Sequence, residues 1–108
     1  MISFDDFSKL NMVIGTIVDV EEVPETDRLL KLTVDVGESE TRQIVSGIRH
    51  LLSDPKSMVG RQVPFLINLE PRVIKGIESQ GMILATETEE GLVLLSPDQE
   101  VSPGTVVR

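Results

Sequence analysis

The segment Leu30-Lys-Leu-Thr-Val-Asp-Val36 alternates strictly between apolar and polar residues. A period of two puts Leu30, Leu32, Val34 and Val36 on one face and Lys31, Thr33 and Asp35 on the other, the pattern of a strand with one face in a core and one in water. Its neighbours continue the theme. Met12-Val-Ile-Gly-Thr-Ile-Val-Asp-Val20 is rich in β-branched residues and reads as a strand. Gly15 within it predicts a bulge or sharp bend, as where a strand curls to close a barrel. Gly37-Glu38 makes a turn, and Thr41–Gly47 pairs back. Arg49–Val59 reads as a short helical connection interrupted by Asp54-Pro55. Gln62–Asn68 is a fourth strand, Gly81–Thr86 a fifth, Leu92–Leu95 a sixth piece, and Thr105–Val107 a terminal edge strand. Before them, Ser3–Leu10 predicts a short helix, with Ser3 as its cap and Asp5 and Asp6 in the first turn, where the helix dipole favours acids.

Three strands, a short helix and two further strands is the order of the five-stranded OB-fold barrel. The expectation is an all-β chain of one domain over residues 1–108, with additions at both ends.

Composition narrows the chemistry. There is no Cys and a single His, His50, so neither a disulfide, a thiolate metal site nor a multi-His metal site is available. No nucleophile stands with a plausible base, and no glycine-rich phosphate loop is present; Glu21-Glu22 and Glu89-Glu90 read as solvated turns. The expectation is a non-enzymatic protein without cofactor. No apolar run approaches the roughly 18–20 residues of a membrane span, and the first residues carry acids where a secretory signal carries bases, so the chain reads as soluble and cytoplasmic, with no membrane partner.

The net charge of −8 is unevenly spread. Residues 28–75 hold eight bases and five acids, a net of +3, whereas the rest hold two bases and thirteen acids, a net of −11. A mildly basic middle in an acidic chain permits weak, salt-sensitive contact with phosphates. With no Trp or Tyr and only Phe4, Phe7 and Phe65, the stacking of successive bases used by single-strand binders has little to work with. Phe65 reads as core.

Leu30–Gly37, Arg42-Gln-Ile-Val-Ser-Gly47, Asn68-Leu-Glu-Pro-Arg72, Gly76-Ile-Glu-Ser-Gln-Gly-Met82, Leu94-Leu-Ser-Pro-Asp98 and Pro103-Gly104 follow one another in an order and spacing that resembles the tRNA-binding domain family. That family includes the C-terminal domain or detached subunit of methionyl-tRNA synthetases, free-standing tRNA-binding proteins and a secretion-related chaperone-like branch. The resemblance runs from Phe4 to Val106. Two departures stand out: Arg28 and Glu70 occupy positions where Lys is frequent.

The resemblance implies contact with the outside of folded tRNA through shape and backbone, and assistance to the catalytic chain of an aminoacyl-tRNA synthetase in trans. Lys31 and Arg42 are candidate phosphate contacts, or else surface charges paired across strands with Asp35 or Glu40. Ser46 could bond a phosphate or a ribose 2′-OH, or simply satisfy its own turn. Arg72 and Lys75 are the strongest electrostatic candidates. Asn68 is either a contact or a turn residue. Ser79, Gln80 and Met82 fall in the segment the resemblance places on the binding surface, although Met82 also suits core filling. The apolar residues of the two additions, Phe4, Phe7, Leu10, Val101 and Val106, mark an interface, and the resemblance implies a two-fold homodimer. A chaperone-like homodimer of the same fold and a protein-docking module remain as alternatives.

Overall fold

The computed structural model describes residues 1–108. Its main sheet has five antiparallel strands in the order β3 (Arg42–Ser46), β2 (Leu30–Asp35), β1 (Met12–Glu22), β4 (Gln62–Leu66) and β7 (Met82–Ile83), an OB-like barrel that is nearly closed. The long β1 (Met12–Glu22) is shared. Its first half, Met12–Thr16, pairs with β4 (Gln62–Leu66), and its second half, Thr16–Glu22, pairs with β2 (Leu30–Asp35). Where it passes from one partner to the other, the register slips between Ile17 and Asp19 and Val18 turns outward. The bulge expected at Gly15 therefore comes three residues later, where a change of partner demands extra twist.

Gly15 serves packing instead. A Cβ there would lie 2.7 Å from Val34 and 2.8 Å from the Phe65 ring. The alternation of β2 is realised, with Leu30, Leu32 and Val34 fully buried. They meet Ile17, Val20, Ile44, Met58, Val63 and Phe65 in one continuous core. Val34 of β2 pairs with Arg42 of β3 (Arg42–Ser46), and Leu30 with Ser46.

The connection after β3 is two 3₁₀ turns, Arg49–Leu51 and Pro55–Met58. A residue before proline is pushed out of the helical region, and Asp54 is extended accordingly, so no α-helix can run through. The second turn delivers Met58 into the core.

Two hairpins depart from the sequence reading. Between the fourth and fifth strands, β5 (Arg72–Ile74) and β6 (Ile77–Ser79) pair around Lys75-Gly76. Both turn residues have positive φ, 52° and 80°, as the tightest hairpin turns require. The expected strand Gly81–Thr86 is split. β7 (Met82–Ile83) pairs with β4, and β8 (Ala85–Thr88) leaves the barrel to pair with β9 (Gly91–Leu94).

The two additions dock differently. The C-terminal tail lies beside β1, with Val106 opposite Val13 and backbone bonds of 2.8 Å from Ile14 N to Thr105 O and from Val107 N to Met12 O. The Gly37 and Gly104 turns interlock so tightly that a Cβ on either would come within 2.5 Å of a carbonyl oxygen of the other turn. The N-terminal α1 (Phe4–Ser8) is closed by reciprocal Ser3–Asp6 capping bonds and buries none of its residues. No helix is long and apolar enough to cross a membrane.

Gly15→Ala should lower the unfolding free energy by about 1–3 kcal/mol, because the added methyl overpacks Val34 and Phe65. Denaturant unfolding with an unchanged slope checks this.

Candidate nucleic-acid interface

The outer edge of β3 decides how the site is built. β6 and β7 are only three and two residues long, too short to cover that edge with a ladder. Side chains take over. The Gln43 amide donates to Gln80 Oε1 at 2.9 Å, and the Val45 amide donates to Ser79 Oγ at 2.9 Å. Gln80 N donates to Gln43 O at 2.8 Å, and Gln43 Nε2 to Glu78 O at 2.8 Å. Arg42 Nη1 donates to the carbonyls of Ile67 and Gln80, while its Nε and Nη2 bind both oxygens of Glu38.

Three candidate contacts are thus committed inside the chain. Ser79 is buried with its hydroxyl engaged, Gln80 completes β3, and the Arg42 fork is filled. The hydrogen bonds from Arg42 hold the Glu38 carboxyl below its ordinary value, and Glu38 in turn raises Arg42. Asn68 has a similar internal task. Its Oδ1 accepts from Asn11 N and its Nδ2 donates to Lys9 O, both at 2.7 Å, which ties the end of the N-terminal addition to the barrel. Lys31 is half-buried and pairs with Glu21 at 3.2 Å, across β1 rather than with Asp35.

The remaining cations sort themselves. Lys9, Lys31, Arg42, Arg49 and Lys56 have acidic partners; Arg28, Arg61, Arg72, Lys75 and Arg108 have none. Arg72 and Lys75 stand on the β5–β6 hairpin, and Arg28 ends the loop between β1 and β2. β3 has β2 on one side and β6 and β7 on the other; Arg28 lies beyond its C-terminal end, where the Arg28 carbonyl accepts from Arg49 N at 2.9 Å. Arg28 was not among the candidate contacts from sequence. Its position in the loop just before β2 was the available signal.

A cleft opens under the hairpin, lined by Val45, Leu69, Glu70, Arg72, Ile74, Ser79, Gly81 and Met82. It unites three candidates, Arg72, Ser79 and Met82, and Lys31 pairs with its floor residue Val45. Ser46 is half-buried opposite Leu30. Arg42 and Gln80 line a separate groove with Glu38, Glu40 and Pro71. Met82, 44% exposed, is at the surface rather than in the core. Of the interface candidates, Phe4 (79%), Phe7, Leu10 and Val106 (57%) are exposed, and Val101 is half-buried with its backbone bonded to the Gln62 amide.

An OB-like barrel with free cations on the loops at both margins of one sheet face has the form of an oligonucleotide-binding barrel. Residues 12–106 match the family described as "Putative tRNA binding domain", and the chain belongs to that family. Among its relatives is a methionine–tRNA ligase of Methanococcoides burtonii, 47% identical over 108 residues that make up 99% of this chain and 16% of the relative. The chain thus spans about a sixth of the length of such curated relatives. Among solved structures, a MetRS related protein from Pyrococcus horikoshii superposes with a TM-score of 0.90 at 37% identity, covering 100% of this chain and 98% of that one. The chaperone CsaA from Bacillus anthracis superposes with a TM-score of 0.85 at 29% identity, covering 100% and 99%.

Arg42→Ala should cost about 1–3 kcal/mol of stability, since it strips partly buried carbonyls of their donor. Arg72→Ala on the exposed hairpin should change stability by less than about 0.5 kcal/mol. Chemical denaturation of both variants separates the internal arginine from the external one. The pH dependence follows from Glu38. Its folded-state pKa lies below the ordinary 4.5, so its contribution is present above that value and is lost as pH falls through the lower, folded one. Unfolding curves from pH 6 down to pH 3 should therefore show Glu38→Gln losing less stability with acid than the parent.

Proposed function

We propose that this chain binds folded tRNA on the face between the β1–β2 loop and the β5–β6 hairpin, through Arg28, Lys31, Arg72, Lys75 and Met82; Ser46 shares the core side of β3 with its partner Leu30. Arg42, Ser79 and Gln80 hold that face in place, and Asn68 ties the N-terminal addition to the barrel. The observation that carries this reading is the placement of unpaired cations. In a chain of net charge −8, Arg28, Arg72 and Lys75 have no acidic partner and flank one sheet face. Phosphates attract such groups, and the acidic remainder of the surface disfavours other orientations. Family membership supplies the nucleic acid, and methionine–tRNA ligases carry a segment like this one as about a sixth of their length. The binding module delivers tRNA to the catalytic part of a synthetase, as part of the same protein or as a separate subunit, and performs no chemistry itself.

The backbone of Lys75 supports its role. A lysine with φ of 52° sits where Asn or Gly is preferred, at a cost of about 1–2 kcal/mol. The strained position holds the ammonium at the hairpin tip.

The same reading includes a two-fold homodimer. α1 leaves Phe4 and Phe7 exposed with their rings 6.5 Å apart, and Leu10 and Val106 add to the apolar surface of the additions. Two such faces on one body would bind a large RNA better than either alone. Likeness to the chaperone CsaA favours a second reading, in which the fold serves an unfolded peptide.

Binding to bulk tRNA should exceed binding to duplex DNA and fall by an order of magnitude or more between about 50 and 200 mM salt. Arg72→Ala and Lys75→Ala should each weaken it, and Lys75→Gly should weaken it while raising stability. No tRNA binding at 50 mM would sink the reading and turn attention to the peptide. Sedimentation should give a dimer at micromolar concentration that Phe4→Asp converts to a monomer; a wild-type monomer would overturn the dimer.

A further inference from the structure

The cleft beneath the β5–β6 hairpin has a chemistry that backbone contact alone leaves unused. Its walls are Leu69, Ile74 and Met82, its floor is Val45, and it contains no aromatic ring. Leu69 and Met82 stay 43% and 44% exposed at its mouth. Arg72, which has no acidic partner, stands at the margin, and so does the Glu70 carboxylate. The cleft is small, about 70 Å³, room for the edge of a ring and not for a whole one. We propose that it takes one edge of an unstacked nucleobase of the bound RNA, a base that carries an exocyclic amine; the proposal rests on the tRNA-binding reading above.

Three observations select this occupant. A nucleotide combines flat apolar faces with a phosphate a few ångströms away, and the cleft combines half-open aliphatic walls with a free guanidinium. An aliphatic side chain of a peptide would match the walls and leave Arg72 without a counter-charge. Glu70 refines the choice. An ionised carboxylate only accepts hydrogen bonds. It therefore repels the phosphate, which leaves that group to Arg72, and favours the amine of cytosine, adenine or guanine over the carbonyl edge of uracil. The walls hold the base by contact with its faces, as aliphatic groups can, in place of the aromatic stacking that this chain lacks. Binding is then not wholly indifferent to sequence: one splayed nucleotide is read at a fixed point on an otherwise shape-bound RNA.

The test compares wild type, Leu69→Ser, Glu70→Gln and Arg72→Ala on bulk tRNA, by affinity over a salt series and by base-specific chemical probing. Dimethyl sulfate reads adenine, cytosine and guanine, and carbodiimide reads uridine. Leu69 is half exposed, so its serine variant should fold, which circular dichroism confirms. Wild type should protect at least one amine-bearing base. Leu69→Ser should bind about 10-fold more weakly, lose that protection and keep the salt slope. Arg72→Ala should instead reduce the slope by about one. Glu70→Gln should extend protection to uridine. Equal affinity of wild type and Leu69→Ser, or protection of the RNA backbone without any base, would overturn the cleft while leaving tRNA binding intact. Protection of uridine by wild type would overturn the part played by Glu70. If a leucine-rich peptide bound wild type but not Leu69→Ser, with tRNA binding equal in both, the cleft would belong to a protein partner. Failure of wild type to bind tRNA at low salt would remove the underlying function as well.

Discussion

A strand at the end of a sheet exposes a row of amides that must find acceptors, and in this barrel the row belongs to β3. An unpaired amide against a core costs as much as a lost hydrogen bond or more. The chain solves the problem with side chains. Ser79 and Gln80 place a hydroxyl and an amide oxygen where the carbonyls of a neighbouring strand would otherwise stand, and Arg42 gathers the carbonyls of Ile67 and Gln80. This stitched seam replaces a long strand, so the chain between β4 and β7 is free to rise out of the barrel as a hairpin. Arg72, Lys75 and the half-exposed apolar residues of the face lie on or beside that hairpin, anchored at its base by the same stitches.

The charge pattern follows a matching economy. Acids neutralise the two arginines that also bond backbone carbonyls, Glu38 taking Arg42 and Glu22 taking Arg49, and Asp19 takes the exposed Lys56. Exposed pairs of this kind contribute little stability. Their effect is to remove half of the positive charges and to leave Arg28, Arg72 and Lys75 on two loops, with Arg61 and Arg108 elsewhere. A strongly acidic protein can in this way keep a directed attraction for an anionic partner without a general one.

The strands of the barrel were legible because their partners are regular. The alternation in Leu30–Val36, the β-branched run of β1 and the position of Phe65 follow from burial on one face, which sequence records directly. The β5–β6 hairpin escaped notice because three-residue strands show no period, and its turn carries Lys rather than the usual Asn before Gly. Gly15 was readable as special but not as to why: a bulge and a crowded contact both ask for glycine, and only the distance to Val34 and Phe65 separates them. The motif residues Arg42, Asn68, Ser79 and Gln80 were visible as a group. Apart from Glu38 beside Arg42 and Gly81 beside Ser79, their hydrogen-bond partners lie 25 to 59 residues away, and no local pattern tells a polar group facing a ligand from one facing its own chain. Lys31 shows the same ambiguity, since its acid proved to be Glu21 on the neighbouring strand.

The tail beside β1 has a consequence for how such a domain travels. Val107 bonds Met12, so the two ends of the folded body stand side by side. The segments that leave the barrel before Met12 and after Val107 therefore start from neighbouring points on its rim. Such a unit can be appended, inserted into a host loop or circularly rejoined without unthreading its sheet. Its architecture makes it portable, an accessory that many different hosts could wear by a single attachment point.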